Sequence, residues 1–432
     1  MQYGRIKKNA IRDKLIAVFE KSMSTWRDHR LMAVAMDDSI LELLLEEDGW
    51  VEKFSEKFLG NKINDIIIKM VQEDKGSLMA ANYLDEMIHE LDSFSIEQVL
   101  YIPLFGIEKP HDKIVLGNVI INWVDAAKAN SLIEKVSTDE YEIDHINKYI
   151  KEHVCAEFHC VAEPIRALEL AEEETRRAID LIRYAIPALY SRDARVIVGL
   201  HGEFCYSYRY VPIDPIGKES FASEGKFTGP LYDFEFSEEN IKKMNRIGIN
   251  KLSDLLQKDE LSDFEEKLLS SIHWFANSQV KIENEDKLLN LITCLEMFFT
   301  PSQSDRDPIL QNVAEGAALL IGESVEQRKA IIEDIRKLYS LRSSLSHHGK
   351  GIVLDLDVRI LTEIDYAVLS TLINKSDEFN DSSKSAKSRK QRRNAGKGKS
   401  KKNKLQKWIE YTRLGGSPEK WDEYSGNQCD KT

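Results

Sequence analysis

The spacing of apolar residues changes character several times along the chain. From residue 5 to about residue 100 it is helical: Ile40, Leu43 and Leu44, then Ile63, Ile66, Ile67 and Met70, fall on single helix faces. Residues 101–124 break the pattern. Tyr101 to Ile107 contains Pro103 and Gly106, and the β-branched run from Ile114 to Val124 reads as a strand. Residues 153–162 alternate as a second strand, and helix resumes from Glu163 to about Tyr190. Arg195 to Val211, rich in Val, Ile, Tyr and Phe around Gly199 and Gly202, reads as a hairpin or bulged strand, and Leu231 to Phe236 as another short strand.

From Ser237 onward the spacing is helical again. Ser262-Asp263-Phe264-Glu265 is a capping box, in which serine and glutamate each satisfy the other's orphan amide; it opens a helix to about Val280. Lys287 to Phe299 is a second helix. Asp307-Pro308 supplies an N-cap and a first-turn proline for a third, ending near Gly322. Ser324 to Gln327 is another capping box, opening a fourth helix that runs to His347 or His348, where Gly349 stops it. A fifth spans about Asp357 to Asn374. Five helices on short loops make a bundle. The predicted fold is mainly α, with an α/β N-terminal region over residues 1–250 and a helical bundle over 251–376. Residues 377–404 read as a disordered basic linker and 405–432 as a short tail, with Leu405 to Arg413 a docking helix.

Charge sharpens this division. The chain carries 60 Lys+Arg against 73 Asp+Glu, a net charge of −13, yet residues 384–404 hold 11 bases and no acid. The remainder has 49 bases against 73 acids, or −24. An acidic body with one basic stretch is not a whole-surface nucleic-acid binder. Five scattered cysteines do not make a disulfide scaffold, Met1 to Lys14 has no apolar signal core, and no apolar run reaches the ~18 residues of a membrane helix. A reducing cytoplasm and no membrane contact are expected.

Two charges lie on otherwise apolar stripes. In the fourth helix Ile331, Ile335, Leu338, Arg342 and Leu345 share one face; in the second, Leu289, Ile292, Glu296 and Phe299 do. An unpaired guanidinium there would cost several kcal/mol, on the order of the penalty for a buried ion, so Arg342 and Glu296 are candidates for a bidentate pair. Such a pair could simply lock helix register. The residues that follow open another reading. Ser343 and His347 are four apart on one face. Arg342 and His347 are about 140° apart on a helix of ~3.6 residues per turn, so they converge only through the long arginine, the helix end or a second subunit. A histidine base and an arginine cation suit metal-independent RNA cleavage, in which a 2′-hydroxyl attacks the adjacent phosphodiester.

Residues ~262–375 resemble the HEPN domain, most closely its Apea-like branch. The resemblance rests on Ser271 to Phe275, on Lys287 to Phe299 with its central Glu296, on Val313 to Gly322, and on Leu338 to His347, which fits the family's Arg-x4-6-His motif. It implies a HEPN-type helical bundle that dimerises so that two Arg/His motifs meet in one cleft. It also implies endoribonuclease activity, often in a toxin or an anti-phage abortive-infection effector. Carried over, Arg342 and His347 are the catalytic pair, Glu296 their orienting partner, and Ser343 stands where a polar residue is usual; His348 is an alternative to His347. No cofactor is implied. The second reading is a non-catalytic HEPN protein that binds RNA or serves as a scaffold. Under the first reading, residues 1–250 sense a phage-derived or cellular trigger.

Three other signals carry less. His153, Cys155, Glu157 and His159 share one face of a strand, and ligands on one extended strand cannot close a tetrahedron, so no metal site is expected. The strand reads as having one polar face. Phe204, Tyr206, Tyr208 and Tyr210 alternate and could stack on bases, or pack as a sheet face. Lys390, Arg392 and Arg393, in the basic stretch, would bind RNA phosphates or remain a solvated linker.

Overall fold

The helical spacing at the N terminus folds into α1(Arg5–His29), α2(Asp38–Leu45), α3(Trp50–Lys53), α4(Glu56–Glu73) and α5(Gly76–Phe94). The computed structural model describes residues 5–29, 38–46, 49–73, 76–136, 140–191, 194, 196–203, 208–209, 225–226, 232–300, 309–348, 351–380 and 403–421. Two compact units divide the chain: residues 1–102 with 157–175, and residues 103–156 with 176–432. The fold is mainly α with a small antiparallel sheet. Among the described residues no helix is long and apolar enough to cross a membrane.

In the first unit, α1, α2, α4 and α5 bury Ile11, Leu15, Ile40, Leu44, Ile63, Ile67, Met70, Leu84 and Leu91 in one cluster, as the spacing predicts. Glu163, fully buried, opens α8(Pro164–Leu189). Its carboxylate accepts from Ile165 N and Arg166 N, both at 2.8 Å, and from Ser55 Oγ at 2.6 Å and Ser55 N at 3.1 Å. Pro164 has no amide hydrogen to leave unsatisfied at the helix start. One carboxylate therefore caps α8 and fastens it to the turn before α4.

The strands are β1(Ile96–Phe105), β2(Ile114–Leu116), β3(Val119–Val124), β4(His153–Ala162) and β5(Gly199–Leu200), in the order β2-β3-β4-β1-β5. Three expectations are corrected here. Ile114–Val124 is not one strand but a hairpin, turning at Gly117-Asn118 with Gly117 at φ 60°. Residues 96–105 form β1 despite Pro103, whose carbonyl accepts from His201 N at 2.9 Å. β4 does not present a polar face: Val154 through Phe158 are all buried, and His159 Nε2 meets Glu157 Oε1 at 3.0 Å. Within Arg195–Val211, β5 pairs with β1, while β6(Tyr208–Arg209) pairs with β7(Gly225–Lys226); Phe204, Tyr206 and Tyr210 lie outside the described residues. In the span Leu231–Phe236, Tyr232 and Phe234 make single parallel bridges and no strand.

Between β3 and β4 lie α6(Ala126–Val136), α7(Glu140–His145) and a π-helical turn over Ile146–Ile150. The hairpin is bound to α10(Ile249–Leu256), which follows α9(Glu238–Arg246). Ser253 Oγ accepts from Gly117 N at 2.8 Å, and Gln257 Nε2 donates to Gly117 O at 2.8 Å. A Cβ at Gly117 would sit 2.7 Å from Leu256 Cβ, so the contact needs glycine.

The bundle comprises α11(Asp263–Val280), α12(Asn284–Phe299), α13(Ile309–Ile321), α14(Val325–His348) and α15(Asp355–Asn374). Both capping boxes form: Glu265 N donates to Ser262 Oγ at 3.2 Å, and Gln327 N to Ser324 Oγ at 3.1 Å. Asp307 and Pro308 lie outside the described residues. Order continues past residue 376. In α16(Ser376–Phe379) Phe379 is buried against Trp408 of α17(Lys404–Arg413), ring centroids 5.8 Å apart, so the predicted linker starts too early. The docking helix forms, and Arg413 Nε holds Glu315 Oε2 of α13 at 3.0 Å.

Candidate functional site

Glu296 lies one turn before the end of α12, and Tyr339 and Arg342 lie three residues apart on one face of α14. α14 is held in place by its apolar members, with Ile335 and Leu338 buried and Ile331 half-buried. Lys337 Nζ bonds Asp357 Oδ1 at 2.8 Å, tying α14 to the start of α15. That contact, with the Leu354 amide, draws the Asp357 carboxyl below the usual range against its burial.

The charges on the two stripes do meet, in a different form from a bidentate pair. Arg342 Nη2 lies 3.9 Å from Glu296 Oε1, a single long contact. The Tyr339 hydroxyl donates to that same oxygen. The guanidinium carbon sits 5.5 Å from the Tyr339 ring centroid. Arg342 is also not a buried ion: its side chain is 35% exposed and that of Glu296 21%. Water therefore solvates part of the guanidinium, and the penalty expected for a core charge does not apply. Burial, then the bond to Glu296, pushes the Tyr339 phenol up to about 12, partly opposed by Arg342. It remains a neutral donor near pH 7.

Ser343 is half-buried on α14, about 100° round the helix from Arg342. His347 and His348 occupy the last two positions of α14, and their side chains lie outside the described residues. Lys390, Arg392 and Arg393 also lie outside them. The structure thus brings together Arg342 and Glu296, and adds Tyr339. The three-residue step from Tyr339 to Arg342 was the available signal for it. Among the described residues, no group of three or more His, Cys, Asp or Glu side chains is placed to hold a metal ion.

A second polar constellation joins α8 to α11. His273 Nδ1 meets Asp180 Oδ2 at 2.7 Å, and Asn277 Nδ2 lies 2.9 Å from His273 Nε2. Buried Arg183 stands 3.9 Å from Asp180 and 3.4 Å from Glu203, and donates to Val198 O at 2.8 Å. The Asp180 contact raises the His273 imidazole above its ordinary value against partial burial. No local spacing connects residues so far apart in sequence. No known family model, curated protein or solved structure matches the chain.

Proposed function

We propose that α12 and α14 carry a metal-independent endoribonuclease site of the HEPN type. His347 takes the proton from a ribose 2′-hydroxyl, which attacks the adjacent phosphorus. Arg342 balances the charge that gathers on the non-bridging oxygens. The 5′-oxygen departs, taking a proton from water, which leaves a 2′,3′-cyclic phosphate, a 5′-hydroxyl and His347 as the imidazolium. Glu296 and Tyr339 orient the guanidinium, and Ser343, four residues before His347, is its neighbour on the helix face.

One observation supports this reading above the others: Arg342 is anchored at one edge by Glu296 and Tyr339 while a third of its side chain stays in solvent. A cation for an incoming phosphate needs both properties. His347 lies five residues further along α14, about 7.5 Å of helix rise, so a second α14 across a two-fold axis completes the cleft. The working unit is then a homodimer. In this reading the protein is a cytoplasmic anti-phage or abortive-infection effector, residues 1–250 sense a trigger, and Lys390, Arg392 and Arg393 attract RNA.

The internal contact of Arg342 with Glu296 also favours a second reading, a non-catalytic RNA-binding or scaffold protein whose charges only fix helix register. An RNA oligonucleotide bearing a single 2′-deoxy residue separates the two. Cleavage everywhere except at that residue supports the nuclease. Binding without cleavage supports the scaffold.

A further inference from the structure

The chain between α7 and β4 takes two unfavourable backbone forms in succession. Ile146–Ile150 is a π turn, closed by Lys151 N donating to Ile146 O at 2.9 Å. Glu152 then adopts φ 58° without being glycine, and its amide donates to Val124 O at 2.7 Å. Widened turns and left-handed non-glycine residues are costly, and they concentrate where a site requires them.

These forms bring a set of rings together. Ile146 and Ile150 turn inward and are buried, while Tyr149 is half-buried between two imidazoles. Its ring centroid lies 4.9 Å from that of His145, at 49°, and 5.3 Å from that of His201, at 61°. His153, at the start of β4, lies 6.3 Å from His201, at 89°. His201 meets Tyr149 and His153 edge to face, and His145 is tilted against Tyr149, so no pair is stacked face on face. His145 and His201 are exposed. The His201 amide donates a hydrogen bond to Pro103 O, and Gly202 follows at φ 86°. The Lys151 carbonyl lies 2.8 Å from His153 Nδ1, which sets that nitrogen as the donor. Lys148 Nζ stands 4.9 Å from the Tyr149 ring centroid, in solvent.

We propose that Tyr149 and His201, with His145 and His153 beside them, form a docking surface for single-stranded RNA. Bases stack on the rings, and Lys148 swings from Tyr149 to a phosphate. Planar faces beside a mobile cation match a base and its phosphate, whereas a quaternary ammonium would meet repulsion from Lys148. Asp144 and Glu152 offset Lys148 and Lys151, so binding here depends on stacking more than on released counterions, unlike binding to the basic stretch at 384–404. The inference rests on the endoribonuclease reading only for RNA as the ligand.

Fluorescence anisotropy with a labelled 2′-O-methyl RNA 12-mer, which cannot be cleaved, tests it on the full chain. Tyr149→Ala should weaken binding roughly tenfold, the effect of losing about one stacked base, and Tyr149→Phe should bind as wild type. His201→Ala should also weaken it, while melting temperatures stay unchanged. A shallow salt dependence of the part lost in Tyr149→Ala further supports the surface. Wild-type affinity in both alanine variants overturns the proposal, as does equal competition by UMP, which would mark a mononucleotide site. Cleavage of unmodified RNA is scored separately. Wild-type cleavage with unaffected binding in Tyr149→Ala removes the docking surface alone, and binding without cleavage by the wild type removes the nuclease alone.

Discussion

Tyr339 of α14 donates its hydroxyl hydrogen to Oε1 of Glu296 on α12, the same oxygen that Arg342 approaches at 3.9 Å. One carboxylate oxygen thus serves both the phenol and the guanidinium. Tyr339→Phe removes that donor and loosens the carboxylate that orients Arg342. We expect a loss of about 1 kcal/mol in urea unfolding, a typical net value for one hydrogen bond. Single-turnover RNA cleavage should fall roughly tenfold, equivalent to about 1.4 kcal/mol in the barrier, with RNA binding unchanged.

Arg342→Ala distinguishes a cation facing solvent from a charge in the core. Breaking a buried pair costs about 3–5 kcal/mol, whereas an exposed pair is worth about 1 kcal/mol or less. With the side chain a third exposed and the contact long, stability should drop by no more than about 1 kcal/mol in urea unfolding, while cleavage is abolished. A large fall in stability would mean that Arg342 belongs to the core.

Signals carried by neighbouring residues were legible in the sequence. Ser262 and Glu265, Ser324 and Gln327, and the apolar stripe of α14 each encode their own helix, and each helix formed. The β-branched run from Ile114 to Val124 concealed its turn at Gly117-Asn118, because both flanks are alike in character and what fixes the bend is Ser253, 136 residues away. Pro103 concealed β1, since proline argues against an inner strand. Tyr339 and the Asp180–His273 contact acquire their roles from packing between helices, which periodicity does not report.

Glu163 serves four donors from a fully buried position in the first unit. Glu163→Ala leaves the Ser55, Ile165 and Arg166 amides without their acceptor. A buried unsatisfied group costs about 1–3 kcal/mol; the Ser55 contacts are buried and the helix-start amides half-buried, so chemical denaturation should show a loss of about 2 kcal/mol. Glu163→Gln, which keeps one acceptor oxygen, should lose less.

The His273–Asp180 contact gives stability a pH dependence of definite sign. The folded imidazole titrates above its ordinary value of about 6.5. Its stabilisation is fully present below that ordinary value and is lost as pH rises through the higher folded one. The melting-temperature gap between wild type and His273→Gln should therefore be larger at pH 6 than at pH 9. A gap that widens with pH would contradict the assignment.

The endoribonuclease reading depends most directly on the chemical ends of the RNA fragments made in EDTA. Purified full-length protein, incubated with RNA and excess chelator, should yield 2′,3′-cyclic phosphate and 5′-hydroxyl ends. His347→Ala should yield none, with an unchanged melting temperature; if it cuts at the wild-type rate, His348 is the working base. Normal cutting by the His347→Ala/His348→Ala double variant, or cleavage that appears only when a divalent metal is restored, would contradict the account.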